Sequence, residues 1–270
     1  MLEITDHGRV RLIALDRPDA LNAMNNALYW ASADALRDAA AEPEVAVVVV
    51  TGNGRAFCAG QDMMEMSTVA VDHRGHGFPV FTDVLTTFRK PILAAVNGLG
   101  VGIGATMLPY FDLVFMADSA RLKLPFPTLG VAPEAGSSYT FPATLGAQTA
   151  AYFLYTAEWM SAQQALDAGL AFRVTTAEAL RDETLALATQ IAAMPIPSLV
   201  ATKELIVAAR IDAVRAARAR EDAVFQRLIG APANVEAITA FIEKRPPDFT
   251  KLADDPAATE TAEKAESGGA

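Results

Sequence analysis

The chain has 270 residues, 52% hydrophobic and 20% charged, enough to bury one large core or two small ones. A formal net charge of −10 and a pI near 4.8 weigh against a nucleic-acid binder, which grips phosphates with clustered Lys and Arg. A single cysteine, Cys58, rules out an intramolecular disulfide and a cysteine metal cluster.

The opening MLEITDHGRV is acidic and mixed, unlike a signal or transit peptide. The longest apolar runs, such as Ala46–Val50, are too short to span a bilayer. A cytoplasmic, soluble protein is therefore expected, with neither nucleic acid nor membrane as a partner. A small anionic ligand stays open, since a few cations or backbone amides suffice to bind one.

In chain order, Leu2–Thr5 and Arg9–Leu15 read as two short strands around Asp6-His7-Gly8, a hairpin signal. Residues 25–40 carry helical spacing. Val45–Gly52, Pro91–Gly98 and Asp112–Asp118 are continuous apolar runs, the pattern of strands covered on both faces in a parallel sheet. Helical segments between them make a β/α succession.

From Ser161 onward the pattern is almost wholly helical: SAQQALDAG, then residues 177–194, 197–210, 213–228 and 234–244. The reading is an α/β core over residues 1–195 and a helical module over 196–252. The stretch 253–270, rich in Ala, Glu, Thr and Gly, is expected to be disordered.

Two glycine turns follow buried strands. NGLGVGIGA, Asn97–Ala105, loosely fits the dinucleotide pattern G-x-G-x-x-A with Asp118 downstream. Its late position and alternating glycines instead suggest a tight turn feeding a closely packed helix, with amides that could bind an oxyanion. GNGRAFCAGQDM, Gly52–Met63, offers amides near Gly60 and Gln61. Cys58 within it has no neighbouring histidine and reads as a small core residue. His73 and His76 are spaced i, i+3 but lack a third ligand, so no metal is expected.

A lone acid, Glu134, stands in LGVAPEAGSSYTFP, Leu129–Pro142. It is either a helix-start charge or a proton carrier. Apolar neighbours such as Phe126 and Leu129 would raise its pKa, and a helix starting near Ser137 would lower it.

The blocks RPDALNAMN (17–25), GRAFCAGQDM (54–63), KPILAAVNGLGVGIGATM (90–107), SAQQALDAGLAFRV (161–174) and ITAFIEKRPPDF (238–249) resemble, in order, those of the crotonase (enoyl-CoA hydratase/isomerase) superfamily. The resemblance covers roughly residues 1–250. It implies a crotonase-like β/α spiral of repeated ββα units with a C-terminal helical trimerisation module, assembling as a homotrimer or a dimer of trimers. It also implies an acyl-CoA thioester substrate, coenzyme A being part of that substrate and no separate cofactor being needed.

Matched residue by residue, the family's oxyanion amides fall on Gln61 and Ile103. Contacts to CoA and substrate fall on Ala20, Leu21, Ala59, Gly60, Asp62 and Phe126, with Phe241 and Lys244 of the last helix approaching CoA, often that of a neighbouring subunit. The loop Thr68–Pro79 is expected to shape the acyl pocket.

At the positions of the two hydratase glutamates this chain has Thr106 and Phe126, neither of which carries a proton at neutral pH. PEAGSSYTFP resembles the segment of peroxisomal-type 3-enoyl to 2-enoyl-CoA isomerases whose glutamate is the base, and Glu134 matches it. The resemblance therefore implies an enoyl-CoA isomerase acting in fatty-acid or aromatic-acid breakdown. Ring rearrangement of an epoxide-type aryl-CoA, another hydratase-family reaction, thioester hydrolysis and CoA binding without turnover remain open alternatives.

Overall fold

Four consecutive valines, Val47–Val50, are all buried, and a strand apolar at every position needs cover on both faces. The computed structural model describes residues 1–66 and 74–252 and builds that cover from two sheets and eleven helices among them. Residues 67–73, with His73 and much of the Thr68–Pro79 loop, and the expected disordered stretch 253–270 lie outside the described residues.

In chain order the strands are β1 (Leu2–His7), β2 (Val10–Leu15), β3 (Val47–Gly52), β4 (Ala56–Cys58), β5 (Ile92–Val96), β6 (Leu99–Val101), β7 (Leu113–Ala117), β8 (Arg121–Lys123), β9 (Met160–Ser161) and β10 (Arg173–Thr175). The helices up to the sixth are α1 (Asn26–Ala41), α2 (Met63–Met66), α3 (Gly77–Thr86), α4 (Ile103–Thr106), α5 (Ser137–Leu145) and α6 (Ala147–Thr156). The remainder are α7 (Ala162–Asp167), α8 (Leu180–Ala192), α9 (Ile196–Ala208), α10 (Ile211–Leu228) and α11 (Pro232–Ile242).

The larger sheet runs β1-β2-β3-β5-β7-β10 and the smaller β4-β6-β8-β9. β3, β5 and β7 pair in parallel, as do β4, β6 and β8. Each successive turn of chain thus gives one strand to each sheet, β3 then β4, β5 then β6, β7 then β8, and the backbone advances as a spiral. The long valine-rich strands are legible from their apolar runs. The three-residue strands of the second sheet are not, because their sequences (AFC, LGV, RLK) carry no period, and the first two sit inside the glycine turns.

The first hairpin differs slightly from its sequence reading. β1 extends to His7, paired with Val10, and Gly8 turns the chain at φ 61°. Asn25 caps α1 by accepting from the Leu28 amide at 2.9 Å, which sets the helix start where the pattern placed it. α1 and α3 pack together over Ile13, Leu15 and Val50, and α8 lies across β2, β3, β5 and β7.

The last helices fold back on the same chain. Lys203 of α9, almost fully buried, reaches the Asp112 carboxylate at the start of β7 at 2.6 Å. α10 packs on α5, and α11 meets the short turn Pro127–Leu129, where the Asn234 side chain donates to the Leu129 carbonyl at 2.8 Å.

Asn22 joins the first loop to the spiral. It is fully buried at φ 57°, in the left-handed region Asn tolerates better than most residues. Its side chain donates to the Asn53 and Ala56 carbonyls at 2.9 and 2.8 Å and accepts from the Arg17 amide at 2.9 Å. Asn22→Ala removes all three bonds, the Ala56 carbonyl keeping one from the Asn97 side chain at 3.3 Å, so stability should fall by about 2–4 kcal/mol. Urea denaturation with an unchanged slope checks this; a loss below about 1 kcal/mol would mean the partners find other bonds.

Candidate active site

The site is built where the first turns of the smaller sheet come together. Gly102 ends β6 with φ 53° and ψ −121°, a backbone state open to glycine alone, and so starts α4 with Ile103 at its first position. Gly104 lies so close to β4 that a methyl group there would sit 2.1 Å from the Cys58 carbonyl oxygen. These glycines let the Gly60 turn and the Gly102 turn touch: a Cβ on Gly60 would lie 3.0 Å from the Val101 carbonyl oxygen.

Two amides are left over in this contact. Met24 bridges Gln61 in parallel fashion, donating to the Gly60 carbonyl at 2.7 Å and accepting from the Asp62 amide at 3.0 Å. That pattern uses the Gly60 carbonyl and the Asp62 N–H, and because the N–H of a trans peptide points away from its carbonyl it turns Gln61's own N–H to the other side. Ile103, first in its helix, has no intrahelical acceptor for its N–H. Neither amide has a protein acceptor among the described residues.

Glu134 faces the same contact. Its Oε1 lies 3.8 Å from the point where a Gly102 Cβ would stand, and that point is also 3.8 Å from the Gly60 Cα. The side chain is partly buried and forms no hydrogen bond or ion pair among the described residues. Ala135 and Gly136 follow at φ 58° and 77°, so two left-handed residues turn the chain into α5. The Ser137 amide and hydroxyl both donate to the Glu134 carbonyl, at 3.0 and 2.6 Å.

The competition over the Glu134 pKa is decided by burial. Desolvation, with smaller contributions from the Glu221 and Asp222 carboxylates, pushes its carboxyl up to about 7. The start of α5 does not counter this, because Glu221 already accepts from its Gly136 and Ser138 amides at 2.6 and 2.7 Å. The helix end therefore presents Glu134 with a second negative charge.

Other carboxylates nearby are engaged. Glu65 accepts from the Asn26 amide at 2.6 Å, and Asp62 pairs with Arg17 at 3.0 Å. Burial pushes the Cys58 thiol up to about 12, which leaves it protonated and packed in the core. Thr106 is fully buried and its hydroxyl has no partner among the described residues. Phe126 is buried at the head of the Pro127–Leu129 turn. Among the described residues no group of three His, Cys, Asp or Glu side chains could hold a metal ion.

The structure brings several sequence-derived residues together. Ala59 donates to the Leu21 carbonyl at 3.0 Å, so Ala20, Leu21, Ala59 and Gly60 form one edge beside the amide pair. Phe241 and Lys244 are exposed on and just after α11. Among the described residues no hydrogen bond or ion pair ties either to that edge.

Three contributors escaped sequence reasoning. Tyr29 of α1, wholly buried, donates to the Gln61 side-chain oxygen at 2.9 Å and lies close enough to Glu134 for its phenol to be pushed well above its ordinary pKa, burial being the larger cause. The Tyr110 hydroxyl donates to the Ala135 carbonyl. Glu221 is one of three acids in a charged helix, and only its place beside Val214 and Ala217 on the buried stripe marks it.

A parallel spiral whose glycine turns present two unpaired amides beside one carboxyl defines a protein of the crotonase class. Comparison with known proteins agrees. The family model described as enoyl-CoA hydratase/isomerase matches residues 5–252, and the chain belongs to that family.

It is 35% identical to a 2,3-dehydroadipyl-CoA hydratase of Escherichia coli, covering 92% of this chain and 98% of the relative. It is 31% identical to a 1,2-epoxyphenylacetyl-CoA isomerase of the same organism, covering 89% and 95%. Among solved structures, an enoyl-CoA hydratase/isomerase from Pseudoalteromonas atlantica superposes with a TM-score of 0.89 at 33% identity, covering 92% of this chain and 99% of that one.

A proton held by burial has a cost at high pH. Glu134 stabilises the fold while protonated, and that contribution is lost as pH rises from the ordinary 4.5 through about 7. Glu134→Gln removes the ionisation. Relative to wild type, the variant should gain on the order of 1–2 kcal/mol between about pH 5 and pH 8, the site's partial exposure limiting the effect. Thermal melts at both pH values check this, and parallel curves would mean that Glu134 ionises normally.

Proposed function

We propose that the protein is an acyl-CoA double-bond isomerase converting 3-enoyl-CoA to 2-enoyl-CoA. The observation that carries this reading is the free, partly buried Glu134 carboxyl, half-protonated near neutrality and facing the Gly60–Gly102 contact. Glu134 removes a proton from C2 of the thioester and returns it to C4 of the resulting dienolate, so one group serves as both base and acid. The negative charge develops on the thioester oxygen, where the Gln61 and Ile103 amides donate to it.

Hydration asks for more. It needs one group to activate water and another to deliver the proton, and Thr106 and Phe126 stand where the hydratases of the superfamily carry those two carboxylates. In the same reading the CoA moiety lies along Ala20, Leu21, Ala59 and Gly60. Arg17 steadies that edge by pairing with Asp62, and Phe126 closes the pocket near Glu134. Phe241 and Lys244, exposed in one protomer, reach a neighbouring subunit's CoA in a trimer.

The identity to an epoxyphenylacetyl-CoA isomerase favours one second reading, a ring rearrangement of an aryl-CoA at the same site. The experiment is incubation with a 3-enoyl-CoA while following the conjugated 2-enoyl thioester. Wild type should turn over with activity rising through about pH 7, as Glu134 loses its proton. Glu134→Gln should lower kcat by at least about 100-fold with KM little changed. Hydration of a 2-enoyl-CoA at a comparable rate, or release of free CoA thiol, would replace this reading with a hydratase or a thioesterase. Equal turnover by wild type and variant would remove Glu134 from the chemistry.

A further inference from the structure

The stretch that carries Glu134 is held from outside by one side chain. Glu221 of α10 is 5% exposed, and its two carboxylate oxygens accept separately, Oε2 from the Gly136 amide at 2.6 Å and Oε1 from the Ser138 amide at 2.7 Å. Those amides lie within and just after the left-handed Ala135–Gly136 pair, whose geometry decides where the preceding residue points. Tyr110 completes the clamp through the Ala135 carbonyl.

The same helix stripe reaches further. One turn before Glu221, Arg218 packs its stem near Gly136 and sends its guanidinium to Asp83 at 2.6 Å and Thr82 at 2.8 Å on α3. A single helix of the C-terminal module thus grips both the Glu134 segment and α3.

We propose that Glu221 is a positioning residue for Glu134, so that α10 of each chain is part of that chain's own active site. This rests on Glu134 being the base. A bidentate carboxylate across the Gly136 and Ser138 amides leaves the Ala135–Gly136 pair one conformation, and it aims the Glu134 side chain at the Gly60–Gly102 contact. A helix packing at this place for stability alone needs no buried charge there. Burying one without a cation on it is costly unless its oxygens are satisfied by donors, as here.

The charge has a second effect. Glu134 is faced by Glu221 and Asp222 from α10, by the neutral Tyr29 phenol from α1 and by the protonated Cys58 thiol from β4. The nearby Arg218 guanidinium is committed to Asp83 and Thr82. Glu221 also faces Tyr110, which Arg218 and Arg210 approach from α10 and the segment before it. Glu221 therefore helps keep Glu134 protonated up to neutrality, the range in which one carboxyl can both take and return a proton.

The test uses the full chain with carbon-13 label at the glutamate carboxyls, the Glu134 signal being identified by its loss in Glu134→Gln. In Glu221→Gln, which keeps the reach but removes the charge and one of the two acceptors, the Glu134 titration midpoint should fall by at least about half a pH unit. The acidic limb of isomerase activity should move with it. Glu221→Asp keeps the charge but cannot span both amides. Its midpoint should stay high while kcat falls about 10-fold, with KM within about twofold and faster hydrogen exchange at Gly136 and Ser138.

An unmoved midpoint in Glu221→Gln together with unchanged kcat in Glu221→Asp overturns the proposal. If Glu221→Gln fails to fold, Glu221→Asp decides alone: loss of kcat with the midpoint retained supports positioning, and wild-type kcat overturns it. If wild type isomerises no 3-enoyl-CoA while the midpoint still falls in Glu221→Gln, the clamp on Glu134 stands and the isomerase reading falls.

Discussion

The close approach of the Gly60 and Gly102 turns is the contact on which the rest of the site depends. β4 and β6 lie side by side in parallel, and Gly104 has no room for a methyl group against the Cys58 carbonyl. Any side chain there would push the strands apart and separate the Gln61 and Ile103 amides. Backbone donors also need no rotamer ordering, and they are aimed before any ligand arrives. The spiral supplies what that contact needs, because each turn of chain delivers a long strand to the main sheet and then a short one to the second.

Around those amides the structure keeps charge scarce. The carboxylates of Asp62 and Glu65 are occupied by Arg17 and the Asn26 amide, and the Cys58 thiol is held neutral by burial. Glu134 alone among these is free. Burial is the larger cause of its raised pKa, and the acidic pair on α10 adds to it. A helix N-terminus would ordinarily act the other way. It does not here because Glu221 takes up the amides of α5. The same group that satisfies the helix end thus adds to the negative field at Glu134.

Much of this was readable before any coordinates. The continuous apolar runs at Val45–Gly52, Pro91–Gly98 and Asp112–Asp118 carry the pattern of strands covered on both faces. The helices from Ala162 to Ile242 follow their periodicity to within a few residues. The order of the five resembling blocks points to the family, and two glycine turns after buried strands mark where amides would be free. Glu134 stood out because its neighbours are apolar or small.

What the chain alone could not carry was anything that depends on distance. The second sheet is invisible in AFC, LGV and RLK, since three residues hold no period and their pairing is set by the first sheet's register. Tyr29 is an apolar-face residue of α1 until its hydroxyl is found on Gln61, 32 residues away in sequence. Glu221 is indistinguishable from the other charges of α10 until the helix folds back 83 to 85 residues onto Gly136 and Ser138. Sequence by itself determined the long strands and helices and which groups are available, because local propensity and hydrophobic pattern are written residue by residue. Which side chains meet at Glu134, and so the proton affinity it has, only the tertiary structure decided, because burial and Coulomb interaction act through space.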